Sequence, residues 1–555
     1  MDLFSIMRGL GGLVVVTALA YLFSPNKRSI NWRLVAVGIG LQFLFALFVL
    51  KVTIGRLLFD GISRGFVRLF GFASVGAQFV FGSLASPAGS SGSLGFFFAF
   101  QVLPTIIFFA SFMAVLYHLG VMQRIVQGMA WVIVKFMRAS GSESLCIAAN
   151  TFMGQTEAPL VIRPYLATLT QSELLTIMTS GMAHISGGVM IAYYTMLGVA
   201  FAKSQGAPID TSQIYFAGHL LAACIMSGPA TLVVAKMLFP ETEEPVTMGT
   251  VKLKIEKAHS NVIEAAAAGA SDGVKLALNV AGMLIAFIAL IALINYLLGV
   301  LGSATGWSTM TQARFGMPLS LELLSGLVFQ FIAFAIGVPW SDALNVGSLM
   351  GIKVVLNEFV AYSKMADAIT AHQLSQKAIV IATYSICGFA NFSSIAIQIG
   401  GISPLAENRR GDIARLGLKA LLGGTIATWM TASIAGMFVS LFLAALSPPR
   451  EEKVSMYEMI LREMRFFTYV TFFARPKKVT KEKTPKSNAR DGFLHASRRF
   501  QPFNDFTVSL AEIETHAITS LPHPPRFRFP ARKDNDYTPC GRLRAILPFI
   551  MFIRY

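Results

Sequence analysis

Charge is what this 555-residue chain has least of. Asp, Glu, Lys and Arg make up 14% of it, against about 25% in a soluble domain. Hydrophobic residues make up 54%, and mean hydropathy is +0.61. That leaves too little charge to wet a globular surface, so most of the chain belongs in lipid. Cysteine is also scarce. Cys146, Cys224, Cys387 and Cys540 stand far apart with no CxxC spacing, which excludes a disulfide scaffold, a zinc site and a redox pair. They read as small apolar fillers. No P-loop, HExxH, nucleophile elbow or dinucleotide fingerprint occurs. A reaction centre is therefore missing, and neither an enzyme nor a resident cofactor is expected.

Lys and Arg number 46 against 29 Asp and Glu, for a net charge of +17. From Pro449 onward there are 20 basic against 11 acidic residues. In the body of the chain the basic residues flank apolar runs, as in a membrane protein. Lipid, and not nucleic acid, is the partner this implies. Segment 448–555 carries Lys477, Lys478, Lys481, Lys483 and Lys486, several prolines and no fold periodicity, and reads as a basic, disordered tail.

Apolar runs near 20 residues meet the length needed to span a bilayer. They fall at 9–23, 34–50, 95–117, 172–200, 213–239, 274–301 and 414–446. Phe23-Ser24-Pro25 offers no small-x-small cleavage site, so the first run reads as a membrane helix and not a signal peptide. In 51–72, Arg56, Asp60, Arg64 and Arg68 recur every four residues, which puts them on one helical face and suggests a helix lying in the interface or an ordinary solvated connector. Residues 121–138 look similar. Lys27, Arg28 and Arg33 place the first loop in the cytoplasm and the N-terminus outside; Arg56, Arg64 and Arg68 pull the other way.

Two segments are too short to cross. Leu145 to Phe152 is eight residues, about 12 Å of helix. Gly154, Gln155, Thr156, Glu157 and Pro159 follow, and then a second apolar arm to Leu166. The geometry expected is a re-entrant hairpin turning at mid-membrane, where loose backbone must be covered by protein or line a cavity. Gly351 to Tyr362 repeats the design, with Asn357 and Glu358 between apolar arms. Each hairpin precedes a helix with a soft middle, 181–188 and 387–394, and then a clean span. Paired interrupted segments point to a transporter site, and a carboxylate within the membrane is expensive and marks function.

The residue types suit a neutral, hydroxyl-rich solute with one planar end. Gln155, Thr156 and Glu157 can read the edge of a heterocycle by hydrogen bonds. Glu358, Asn391 and Ser394 suit a polyol, and Phe389 and Phe392 offer flat apolar surface. Two carboxylates would repel a phosphate, which argues against nucleotides; sugars and amino acids stay open. Broken helices also expose carbonyls that can hold a small cation. Asn150, the Met153 carbonyl and the break at His184–Ile185 are the candidates.

Three strings carry a resemblance: Gly154-Gln-Thr-Glu-Ala-Pro-Leu160, Asn357-Glu-Phe-Val-Ala-Tyr362 and Cys387-Gly-Phe-Ala-Asn-Phe-Ser-Ser-Ile-Ala-Ile-Gln-Ile-Gly-Gly401. Together with Asn408 to Gly417 they resemble the concentrative nucleoside transporter family over roughly residues 1–447. The resemblance implies an all-α polytopic membrane protein with about eight transmembrane helices and two re-entrant hairpins in an inverted repeat. Seven clean spans and a broken helix near 376–404 make the eight. It divides the chain into scaffold and interfacial helices (1–140), a first repeat (141–240), a connector with scaffold span 274–301 (241–340), a second repeat (341–447) and the tail. It implies a homotrimer in the bacterial inner membrane, importing nucleosides with sodium or a proton as coupling ion. By position, Gln155, Thr156 and Glu157 would face the nucleobase with Val189 nearby. Glu358, Asn391 and Ser394 would face the ribose, with Phe389 packed at the site. Asn150, Met153, His184 and Ile185 would hold the sodium. His184 departs from the Ser or Thr of many sodium-coupled members, and imidazole can carry a proton instead. A passive pore or receptor on the same fold is the alternative, and a membrane enzyme a more distant one.

Overall fold

The computed structural model describes residues 3–86, 92–249 and 260–444; the tail 448–555 lies outside them. Every regular element among the described residues is helical, apart from one isolated bridge between Ser140 and Met248. The chain opens with α1 (Leu3–Leu22) and α2 (Trp32–Leu50), the first two apolar runs. Then comes α3 (Thr53–Phe81), whose Phe59, Ser63, Ala73 and Ala77 form a buried stripe. Arg56, Asp60, Arg64 and Arg68 all face outward, as the four-residue step requires. The short α4 (Phe98–Gln101) leads into α5 (Leu103–His118). α6 (Val121–Met137) is amphipathic, burying Met122, Val126, Ala130, Ile133 and Met137.

Hairpin 1 starts at α7 (Gly141–Asn150), only ten residues long. Ser140 and Glu143 form a reciprocal capping box at its start. After the turn its second arm, Ala158–Thr168, is wound as a 3-10 helix. Pro159 and Pro164 lack the N–H groups that an α-helical ladder needs, which accounts for the arm's departure from α geometry. A second capping box, Thr170 with Glu173, opens α8 (Gln171–Ala183). The break at 184–186 follows, then α9 (Gly187–Gln205) and the long span α10 (Ile209–Leu238).

After α11 (Val262–Thr305), 44 residues long, and α12 (Trp307–Phe315), the order recurs. The apolar α13 (Leu321–Ala335) escaped the sequence reading. It bends by 120° into α14 (Trp340–Val355), at a corner where Gly337 takes a positive φ of 111° and Pro339 follows. Hairpin 2 is α14, a break at 356–357, and α15 (Glu358–Thr370). Its arms are longer than the apolar stretch 351–362 suggests. α16 (Gln376–Ile386), a break at 387–391 and α17 (Phe392–Ile402) form the second broken helix, and α18 (Arg410–Ala444) is the last span.

Among the described residues, eight helices are long and apolar enough to cross a membrane. Seven coincide with the runs read from the sequence. The eighth is Ile54–Ala85, the stretch expected at the interface. The broken pair α16–α17 does not join them, because each half has only 11 residues. The all-α architecture with two re-entrant hairpins in an inverted repeat is as expected. α10 and α18 pack on each other; α10 also packs on α8 and α9, and α18 on α8, α16 and α17. α15 crosses to α9, which joins the second hairpin to the first broken helix. α11 packs chiefly on α5, and little of its apolar surface is buried.

Candidate functional site

The two hairpin tips and the two helix breaks converge on one cleft. Gln155, Thr156, Glu157, Val189, Glu358, Phe389, Asn391 and Ser394 all line it, with Ser186 and Asn357 beside them. A further wall is α11, through Leu276, Val280, Met283 and Leu284. Acidic and amide groups thus face an apolar wall, which suits a solute with a polar rim and a flat apolar face.

Local capping places the polar groups. Asn357 caps α15, its side chain accepting from Val360 N (2.9 Å), so Glu358 sits in the first turn. Asn391 caps α17 in the same way, accepting from Ser394 N (2.9 Å). Its amide nitrogen is left to donate to Glu358 Oε2 (3.2 Å). The Tyr193 hydroxyl, from α9, donates to Glu358 Oε1 (2.8 Å). Both oxygens of this buried carboxylate therefore have partners from outside its own hairpin. Glu157 differs. It is exposed to the cleft and accepts only from Gly154 N in its own turn (3.1 Å). Gln155 Nε2 donates across the cleft to Ser394 Oγ (3.1 Å).

The two breaks touch. Phe389 N donates to the His184 carbonyl (3.2 Å). Gly388 adopts φ +134°, and a Cβ there would lie 2.7 Å from the Met182 carbonyl oxygen. Only glycine permits both that conformation and that approach.

Behind the first break lie the four cation candidates. Asn150, His184 and Ile185 are buried and Met153 is partly so. Asn150 Nδ2 donates to Ser180 Oγ (3.0 Å), while its buried Oδ1 has no partner. An acceptor oxygen stranded at the end of the hairpin's first arm, just before its turn, fits a small cation, since a buried polar group without a partner is costly. His184 Nδ1 lies 2.8 Å from the Ser180 carbonyl and Nε2 has no partner. The Tyr117 hydroxyl donates to Met153 Sδ (2.7 Å), which leaves that residue's carbonyl as its contribution. Among the described residues no cluster of three His, Cys, Asp or Glu side chains occurs that would hold a transition metal.

Sequence reasoning missed Tyr193, Lys353 and Gln398. Tyr193 sits in an apolar helix with no local signal. Lys353 is buried on α14 and donates to Thr428 Oγ1 (3.3 Å); a lone lysine inside an apolar arm was the available clue. Gln398 lies within the third quoted string.

These features define a helical membrane protein with a cleft between paired hairpins. Comparison with known proteins narrows the class. Residues 11–84 and 219–436 match the N- and C-terminal parts of the "Na+ dependent nucleoside transporter" family, and 99–200 match "Nucleoside recognition". Nucleoside permease NupC of Helicobacter pylori is 39% identical over 443 residues, covering 79% of this chain and 99% of that one. Human solute carrier family 28 member 3 is 38% identical over 78% of this chain and 59% of its own length. The structure of CNTnw in an inward-facing substrate-bound state superposes with a TM-score of 0.69 at 40% identity, over 79% of this chain and 98% of that one. The chain belongs to the concentrative nucleoside transporter family.

Proposed function

We propose that the chain is a cation-coupled nucleoside symporter, not an enzyme, bringing nucleosides inward across a bacterial inner membrane. The observation that carries this reading is the single cleft where both hairpin tips meet, with a buried, doubly hydrogen-bonded carboxylate on one side and an open one on the other. Gln155, Thr156 and Glu157 would read the base beside Val189. Glu358, Asn391 and Ser394 would hold the ribose hydroxyls, with Phe389 against the sugar or ring. Residues 141–240 and 341–447 would move together against a scaffold of 1–140 and 241–340, in a homotrimer.

Sodium is the coupling ion of this reading, held by Asn150 Oδ1 and by the carbonyls of Met153, His184 and Ile185. For uphill transport it must favour the substrate-loaded state. A second reading has its own support. His184 has one ring nitrogen facing a carbonyl and the other without a hydrogen-bond partner, and in this reading its imidazole carries a proton as the coupling ion.

The test is uptake of labelled uridine by the purified protein in vesicles under imposed gradients. Accumulation above the outside concentration with inward sodium, and none without it, is expected. Accumulation driven by a proton gradient and indifferent to sodium would select the second reading. Equilibration alone would mean a passive pore.

A further inference from the structure

Gln398 is fully buried and takes no part in the assignments above. It shares a face of α17 with Ser394 and Gly401, four and three residues away, and that face lies along the tip of hairpin 1. Its amide nitrogen donates to the Met178 carbonyl (2.9 Å) and to Gln155 Oε1 (3.2 Å). Gln155 Nε2 donates in turn to Ser394 Oγ (3.1 Å).

The order of this chain is fixed from one end. A backbone carbonyl can only accept, so it is the nitrogen of Gln398 that faces Met178. Its second N–H then points at Gln155, whose facing atom must be the oxygen. The Gln155 nitrogen is left toward Ser394. That hydroxyl accepts and keeps its own proton for another partner. Space is reserved for the chain as well. A Cβ on Gly181 would lie 2.7 Å from Gln398 Nε2 and 2.9 Å from Gln155 Cβ, and one on Gly401 would lie 2.3 Å from Thr156 Cγ2.

We propose that Gln398 is a specificity-determining positioning residue: it sets which way round the Gln155 amide meets the nucleobase, and so which donor–acceptor pattern is accepted. The inference rests on the reading of Gln155 as base-facing. Uracil and cytosine form the natural probe, because they carry opposite patterns on one edge: a carbonyl acceptor at position 4 in uracil, an amino donor in cytosine.

The experiment compares KM for uridine and cytidine uptake in vesicles. Gln398→Glu places an acceptor where a double donor stood, so Gln155 must turn its nitrogen toward it. The uridine-to-cytidine KM ratio should move about tenfold, with the maximal rate changed less than threefold. In a Gln155→Ala background the same change should leave the ratio where Gln155→Ala alone puts it, since the effect passes through that amide. A ratio unmoved by Gln398→Glu, while Gln155→Ala moves it, overturns the inference and leaves the site reading intact. A ratio unmoved by Gln155→Ala overturns both. If Gln398→Glu does not fold, Gln398→Met keeps the volume and removes the order. It should move the ratio at least threefold, and no movement again overturns the inference.

Discussion

The two hairpins share a plan but not a state. Hairpin 1 ends in a glycine-led turn whose Glu157 is exposed to the cleft and held by one amide of its own backbone. Hairpin 2 ends at a capped helix start whose Glu358 is buried and bound by Tyr193 and Asn391. Buried Lys353 stands on its first arm, within electrostatic reach of that carboxylate. Among the described residues, no buried lysine stands at the tip of hairpin 1. The buried Lys236 lies near its base, where it pairs with Glu143 (2.9 Å) and Glu241 (3.0 Å). One acidic tip is thus tied into the protein by two other elements, and the other stays open to the cleft. A buried polar group is tolerated when it is hydrogen-bonded, which is the condition Tyr193 and Asn391 meet at Glu358.

This contrast predicts unequal consequences of the same change. Glu358→Gln replaces a carboxylate that accepts two hydrogen bonds with an amide that can accept on one side only, so that the Tyr193 hydroxyl must turn to accept if Asn391 keeps its bond. Uptake at low nucleoside concentration should fall about 100-fold or more, as charge-assisted hydrogen bonds contribute about 1.5–3 kcal/mol each. Glu157→Gln, with one local bond to lose, should cost about tenfold. Equal losses, or a larger one at Glu157, would break the comparison. Tyr193→Phe sharpens it by removing one partner of Glu358 and leaving the carboxylate. A rise in KM of about tenfold is expected, and a KM like that of the parent would mean that the phenol serves packing alone. The smallest effect belongs to the base of hairpin 1. Ser140→Ala removes one of two capping boxes and should cost about 1 kcal/mol of stability. Thermal unfolding of the purified protein should show this as a small drop in midpoint with uptake retained; lost uptake at unchanged stability would give Ser140 a direct part in transport.

Much of this was legible in the sequence, because bilayer thickness imposes a length that a helix either meets or misses. The seven clean runs met it and are helical over most of their length, with 172–200 interrupted at 184–186. The arms around Glu157 and Glu358 missed it and became hairpins. What stayed hidden depends on partners remote in sequence. Tyr193 meets Glu358 across 165 positions, and Gln398 meets Gln155 across 243; no local spacing encodes either. α13 was overlooked although its run is apolar, because Gly337 and Pro339 fold it back into the next helix before it reads as a span. Asn391 was legible as a polar group in a soft helix, but its double duty was not. Its oxygen starts α17 while its nitrogen holds a carboxylate, and only the backbone geometry separates the two.

The bond between the Phe389 amide and the His184 carbonyl has one more implication. A positive ion drawn to that oxygen would share it with the amide, one on each lone pair. Ion and cargo would then communicate over the distance of one peptide contact, without any lever arm between them.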